Sequence, residues 1–595
     1  MLAKAADAIL FLPSLLTGPV FSKELRASSR RRRYYVLRST YVLLLLAFIA
    51  LIWLDTVSYT VSGSAYYASR MAEAGRTIIA VATWFQFFTC QLVAIVLLSS
   101  AISDEITHRT LGTLMTTPIN SLQIVAGKLL SRLWQILLLL AISLPVLAVV
   151  RVFGGVPWDY LLGSACVTVC TCLFVGSLSL WFSIFQRRTY KVIIITVVVV
   201  GILFALVPIL AVFIADEFGY YEDDVLGVFT NFNPYVGLLY MTEVLMYPSL
   251  AGSAGVWFSW VLLCGVLLGA SAVVVLAGAA YVRKVALGQA SGRTHNPDRP
   301  GLLRRLFTWS NTRSVNDGRI IPVRGLPMVW KELRHVRRNR RRTVFRGGAA
   351  LALLSLTYLL CASENILRDD EVHMVYLLVF FSVGVLGTAT TAGSAVGEEK
   401  EARTLSLLLI SGLSAEDIIL GKAIGILRRC WPYWGLGALH LGLFTLCGMF
   451  PATTWLHLGI IVGGVVALLT GVGLYFGSVF RRTVTAVVLT ILLPIVLWVL
   501  IPILLVLGMD AVSDDSFPAR YADATPWAQI VVVVDHDFHG YRGYSGHRNS
   551  SYHWPSGRQS RGETMARISA WSAVYATAGL LLTIPAARRL RRGAA

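Results

Sequence analysis

The sequence predicts an all-α polytopic membrane protein built from two parallel six-helix repeats, about 12 transmembrane helices in all. Three observations carry this: long apolar stretches, a one-sided distribution of Lys and Arg beside them, and an internal repeat. Of 595 residues 56% are hydrophobic and only 14% charged, against roughly 25% charged in an average soluble domain. The net charge of +20 would suggest nucleic acid on a soluble protein. Here the basic residues flank apolar segments, as membrane topology requires, and a nucleic-acid partner is not expected.

A spanning helix needs about 20 apolar residues to cross about 30 Å of hydrocarbon. Such stretches lie near 36–55, 78–101, 134–153, 160–184, 190–214 and 256–281, and again near 345–363, 372–396, 430–450, 455–479, 484–508 and 569–587. Pro145 and Pro432 interrupt the stretches at 134 and 430. The eight Cys lie in or beside these stretches without metal-site or redox spacing and read as small hydrophobes. Ile9 to Leu16 is too short, and too weakly led by charge, for a cleaved signal.

Arg30 to Arg33, Arg109, Lys128, Arg132, Arg187, Arg188, Lys191 and the Arg-rich stretch from Arg283 to Arg346 fall on one side, which is therefore expected to be cytoplasmic. The segment from Asp216 to Gly255 has no Lys or Arg and is expected outside. Both termini are then expected in the cytoplasm, with the chain in the inner membrane. The segment 510–567 breaks the bias, but long loops translocate largely regardless of charge, and the helix count places it outside.

The repeat is read at the basic edges. Pro19-Val-Phe-Ser-Lys23-Glu24-Leu25-Arg26 recurs as Pro327-Met-Val-Trp-Lys331-Glu332-Leu333-Arg334, an offset of 308 (327 minus 19). Glu105, Arg109-Thr110-Leu111 and Gly127-Lys128 recur as Glu399, Arg403-Thr404-Leu405 and Gly421-Lys422 at an offset of 294 (403 minus 109), which also relates Arg187-Arg188-Thr189 to Arg481-Arg482-Thr483. Each copy holds an even number of spans, so the copies share one orientation. The expected domains are 1–283, a first six-span half; 284–325, a Gly-, Pro- and Arg-rich linker; and 326–595, a second half with a His-rich outer loop at 510–567.

The connections Ser103–Leu133 and Gly397–Leu427 are too regular for disordered loops. In the first, Ile106, Leu111, Leu114 and Met115 recur at helical spacing, Thr116-Thr-Pro-Ile-Asn120 breaks the helix and Ser121 can cap a new one. Ser411-Gly412-Leu413-Ser414 is the corresponding break. Each connection is expected to form a short helix, a turn and a second short helix at the membrane surface.

Acidic residues, then Arg-Thr-Leu, a Thr-Pro or Ser-Gly break and a Gly-Lys before the third span resemble the type 2, export-type family of ABC transporter permeases, here with two six-span halves fused. The Lys23-Glu24 and Lys331-Glu332 elements resemble that family's interfacial elbow helix. The resemblance implies a permease powered by two cytosolic ABC ATPase subunits that contact cytoplasmic coupling helices, through Glu105, Arg109, Thr110, Lys128, Glu399, Arg403, Thr404 and Lys422. It further implies no catalytic residue and no cofactor in this chain, with ATP and Mg on the partner subunit. In keeping with that, neither Gly127-Lys128 nor Gly421-Lys422 has the glycine spacing of a phosphate-binding loop.

Two other function classes are weighed. An ion-coupled secondary transporter would carry ionisable residues inside its spans, where His440 is the clearest of very few. A membrane enzyme or scaffold would work through its outer loops, and only 510–567 offers polar chemistry. There His536, His539, His547 and His553 stand near Asp535 and Asp537, a weak metal-ligand set of irregular spacing, interleaved with Tyr541, Tyr544, Tyr552 and Trp554. That segment reads better as a polar outer cap or as the surface for an extracytoplasmic partner.

Overall fold

A computed structural model describes residues 19–26, 32–58, 64–107, 119–186, 188–209, 211–212, 227–248, 258–290, 325–335, 340–363, 367, 369–508, 517–542 and 551–592. Most of the expected linker lies outside them. The chain divides into two compact units, Met1–Arg299 and Pro300–Ala595.

After a helical turn pair at 19–26, the first unit contains α1 (Arg32–Ser58), α2 (Ser64–Ser99), the short α3 (Ser103–Thr107), α4 (Ser121–Gly154), α5 (Trp158–Phe185), α6 (Thr189–Gly201), α7 (Pro234–Met246) and α8 (Trp260–Ala290). Helix α2 packs against α4 and α5, and α8 lies along α5. Their shared core includes Cys90, Ala94, Leu98, Leu129, Ile136, Cys172 and Leu180.

The second unit contains α9 (Pro327–His335), α10 (Arg340–Ser363), α11 (Asp370–Glu401), the short α12 (Leu405–Ile410), α13 (Ala415–Leu446), α14 (Ala452–Val479), α15 (Thr483–Ile495) and α16 (Ile501–Gly508). A cap of α17 (Phe517–Ala524), α18 (Pro526–Arg542) and a hairpin of β1 (Ser551–Trp554) and β2 (Gly557–Ser560) follows, then α19 (Arg561–Arg592). Here α11 is central, packed against α13, α14 and α15, while α19 runs along α14.

Ten described helices are long and apolar enough to cross a bilayer, six in the first unit and four in the second. The other two expected spans fall on α10 and α13, both continuous helices. The protein is an all-α multi-pass membrane protein with one small hairpin.

Three features differ from the sequence expectation. No separate surface helix follows either break: α4 runs unbroken for 34 residues from Ser121 and α13 for 32 from Ala415, so those residues begin the third span itself. Pro145 and Pro432 sit inside these helices, which hydrocarbon-embedded helices tolerate because neighbouring groups satisfy the freed carbonyl. The N-cap of α4 is Asn120, one residue before Ser121, with Gln123 Oε1 accepting from the Asn120 N–H at 3.2 Å.

The described parts of the segment expected as an outer loop, residues 517–542 and 551–567, form helices and a hairpin rather than a loop. Ile530, Val532, Val533, Val534, Tyr552 and Trp554 join the core of the second unit with Phe381, Leu469 and Trp498.

The fifth span of each half contains one π-helical turn, Ile202–Leu206 and Val496–Leu500, again separated by 294 (496 minus 202). Such turns leave carbonyls poorly paired within the helix. In each half a side chain from a later segment supplies a donor: Asn233 Nδ2 to Phe204 O at 2.7 Å, and the Tyr521 hydroxyl to Leu497 O at 2.9 Å.

Candidate functional site

The repeated charged residues gather at the end of each unit that the charge bias assigns to the cytoplasm. In the second unit Pro327 occupies the first position of α9, where its missing N–H has no helical partner to lose. The helix lies against α13. Close approach is possible because a Cβ at Gly421 would come 2.5 Å from Met328 Cγ, and one at Gly425 would come 2.9 Å from Glu332 Cβ.

This packing buries Glu332 to 4% exposure. Its carboxylate accepts from Lys422 Nζ at 2.8 Å and from the Arg429 guanidinium. Lys422 Nζ also donates to Glu399 Oε1 at 3.0 Å, and Lys331 Nζ reaches the same oxygen at 3.0 Å. One buried ammonium thus joins the elbow helix to the end of α11.

Helix α11 ends at Glu401, and Arg403 follows with φ 55°. This left-handed geometry is usual for glycine two residues past a helix end and costs a side-chain-bearing residue about 1 kcal/mol. The turn is held by Thr404, whose N–H donates to Glu399 O at 3.0 Å and whose hydroxyl donates to the Glu399 carboxylate. The result is an exposed Arg403 side chain, with no ion pair among the described residues.

Helix α12 has no buried residue: Leu407 is 67% and Ile410 81% exposed. The break expected at Ser411–Ser414 is present, with Gly412 at φ 75° and Ser414 Oγ accepting from Asp417 N at 3.1 Å to cap α13.

The first unit repeats part of this arrangement. Lys128, buried, donates to Glu105 Oε1 at 3.0 Å and to Ala101 O at 2.7 Å, and Arg132 donates to Glu24 Oε2 at 3.2 Å and to the Tyr34 hydroxyl at 2.6 Å. Lys23 is exposed. Arg109 and Thr110 lie outside the described residues.

Of the residues singled out by sequence, Glu399, Thr404, Lys422, Lys331 and Glu332 form one cluster, and Arg403 lies at its exposed edge. Lys128 and Lys422 face inward, each 5% exposed. Arg132 entered only through the charge bias, and Arg429 was not singled out. They fall three residues out of register once 294 is subtracted from 429, and that shift hid them from a repeat search.

The other candidates sit elsewhere. His440, buried in α13, contacts Tyr358 and lies 3.4 Å from His373, whose Nε2 is 2.9 Å from Leu367 O. A carbonyl only accepts. With both rings neutral, His373 therefore donates from Nε2 and accepts from His440, which accepts in turn from the Tyr358 hydroxyl. In the cap, the His536 ring stacks on Tyr552 with centroids 3.6 Å apart, and His553 is exposed. The backbone at His539 is helical, and His547 lies outside the described residues. Among the described residues no group of three or more His, Cys, Asp or Glu is gathered as a metal cluster.

The cap is fastened by Asp537, which is buried and accepts from Thr454 Oγ1 at 2.8 Å and Tyr552 OH at 2.9 Å, with His536 Nδ1 at 3.3 Å and His457 Nδ1 at 3.9 Å. Burial alone would raise its carboxyl; the contacts with His457, His536, Thr454 and Tyr552 outweigh burial and hold it below the usual carboxylate range. A depressed folded-state pKa contributes stability that is complete above the unfolded value of about 3.9 and is lost as pH falls below it. Asp537→Asn is expected to cost about 1.5–3 kcal/mol at pH 7. The cost should shrink below about pH 4, as followed by thermal unfolding in detergent across pH. A pH-independent difference would place the effect elsewhere.

Comparison with known proteins bears on the whole arrangement. The sequence model of the family described as ABC-2 family transporter protein matches residues 19–283 and again 326–582. Comparison with curated proteins found no match. Each match spans one copy of the elbow, the charged connection and the following spans, and together they cover most of the chain. The chain belongs to the ABC-2 family of transporter proteins, with two copies of the family's membrane domain in a single polypeptide.

Proposed function

We propose that this permease is the transmembrane subunit of an ATP-driven exporter, powered by two separate cytosolic ABC ATPase subunits, in the inner membrane with both termini in the cytoplasm. ATP and Mg are bound and consumed on those partners, and the chain supplies the translocation path and the docking segments. The observation that carries this reading is α12. A six-residue helix with Leu407 and Ile410 exposed, preceded by Arg403 in a left-handed turn, is an apolar knob with a cation beside it. Exposed apolar side chains beside an Arg are the chemistry of a protein-docking anchor. Behind the knob, Glu399, Lys422 and Glu332 connect it to two helices, as a segment that conveys a partner's motion requires.

The test is recruitment. Co-expression with the cognate ATPase and purification in detergent should give a complex that hydrolyses ATP. Arg109→Glu with Arg403→Glu is expected to weaken ATPase recruitment at least about tenfold, the loss of about 1.4 kcal/mol or more, while the chain still inserts. Arg403→Gly keeps the left-handed turn and removes the whole side chain with its charge, so it separates the side chain's part from the backbone's. Normal recruitment and transport in the double reversal would sink the docking assignment.

A further inference from the structure

Both halves carry one ring contact in common, away from the charged edge. Helix α7 opens on Asn233-Pro234-Tyr235, and α18 opens on Thr525-Pro526-Trp527, at an offset of 292 (526 minus 234). Tyr235 meets Phe87 of α2 edge to face, with centroids 5.1 Å apart and planes at 81°, and Trp527 meets Phe381 of α11 at 5.0 Å and 81°. Phe87 and Phe381 are themselves 294 apart (381 minus 87), so the short helix after the fifth span is seated on the second span in the same way twice.

In the first half this seat is lined with rings. Tyr235 also packs on Phe88 at 6.0 Å and on Phe204, in the π-helical turn, at 5.6 Å, and Phe204 packs on Phe174 of α5 at 5.8 Å. Phe87 lies about 18 Å along α2 from its end at Ser99, so the cluster is deep in the span rather than at its rim. Phe88 is half-exposed and opens the cluster to the surface of the unit.

One polar side chain stands among these rings. Gln91, 4% exposed, follows Phe87 and Phe88 by four and three residues and so shares their face of α2. The Tyr235 hydroxyl donates to Gln91 Oε1 at 2.5 Å, while Gln91 Nε2 is buried with no hydrogen-bond partner among the described residues. A buried amide N–H without an acceptor costs free energy. The ring seat does not require one, since Val385 holds the matching position beside Phe381 and Trp527 (385 minus 91 is again 294). An acceptor brought by a ligand would relieve the cost, and the partial positive charge at the start of α7, one residue before Tyr235, favours an acceptor oxygen on that side.

We propose that Gln91 and the surrounding rings of the first half form a binding site for an uncharged apolar molecule that carries a carbonyl or ether oxygen. The oxygen accepts from Gln91 Nε2, the rings enclose the apolar body, and a turn of the Phe88 side chain admits it. Aromatic faces with a single neutral donor suit such a molecule better than an anion, whose burial would need a cation beside it. The site goes beyond the docking reading and is measured without any ATPase, so failure of the Arg109 and Arg403 reversal test would leave it standing.

The experiment is photolabelling of the full chain in phospholipid nanodiscs with benzophenone, two rings joined by a carbonyl, in competition with diphenylmethane, the same rings without the oxygen. Labelling is expected to saturate and to map by mass spectrometry to 84–91 and 234–240. Gln91→Leu should raise the half-saturating benzophenone concentration about tenfold and leave the competing concentration of diphenylmethane unchanged. Because the other copy accepts Val at this position, Gln91→Leu is expected to fold; Gln91→Met, unbranched and close in length, is run beside it and should behave alike. Phe88→Ala removes a ring from the enclosure and should weaken both molecules. Labelling that only rises in proportion to concentration, as bilayer partition would give, overturns the proposal. So do saturable crosslinks confined to other stretches, or a Gln91→Leu effect of equal size on benzophenone and diphenylmethane.

Discussion

Gly471→Ala is expected to destabilise the second half by about 3 kcal/mol or more, because a Cβ there has nowhere to go. It would come 1.9 Å from the carbonyl oxygen of Gly579 on α19. The opposing Cβ at Gly579 would come 2.3 Å from Ala467 O, and one at Gly464 would come 2.8 Å from Ser572 Cα. The obstacle in each case is backbone, so no rotamer change relieves it and the helices must separate along α14. In lipid there is little hydrophobic drive to hold two apolar helices together, and close backbone approach through small residues supplies the attraction. Separation therefore loses contacts along the whole interface. Gly459 and Gly463 on the same helix meet nothing within 4 Å, so alanine there should be neutral or stabilise by about 0.5–1 kcal/mol. Thermal unfolding of the three variants in one detergent decides it: similar melting for Gly471→Ala and Gly463→Ala would refute the close α14–α19 contact.

Lys422→Met should cost about 3–5 kcal/mol, more than the matching change in the first half. Lys422 is 5% exposed and serves two carboxylates, Glu332 and Glu399. Its removal leaves Glu332 buried with Arg429 alone, and Glu399 with Lys331 and Thr404. Lys128 serves one carboxylate, Glu105, whose side chain keeps 24% exposure, so water compensates part of the loss in Lys128→Met. Adding Glu332→Gln to Lys422→Met should recover part of the stability, because the orphaned charge disappears with its partner. Equal costs for the two lysines, or no recovery in the double variant, would contradict the shared-ammonium arrangement.

Much of the proposed docking segment was legible before any coordinates, for local reasons. Gly412 marks a left-handed turn, Ser414 an N-cap, and the acidic and Arg-Thr-Leu residues recur at one offset. The left-handed Arg403 was not legible, since only glycine announces that conformation. Nor was the inward aim of Lys128 and Lys422, because a lysine about two turns into a helix reads as solvent-facing until the neighbouring helix is placed. The paired π-helical turns were equally hidden: Ile-Leu-Phe-Ala-Leu and Val-Leu-Trp-Val-Leu are ordinary spanning sequence, and their counterparts Asn233 and Tyr521 come from distant segments.

By itself the sequence determined the all-α membrane class, the two copies and the edges at which they match, because hydropathy, turn chemistry and repetition are properties of neighbouring residues. Only the tertiary structure decided that the third spans begin at Ala415 and Ser121, that residues 517–542 and 551–560 pack as a cap, and that Glu332 meets Lys422 while Glu24 meets Arg132. Which cation a carboxylate finds depends on the rotation and depth of two packed helices, and a shift of one turn along the third span changes the partner without altering the helical pattern.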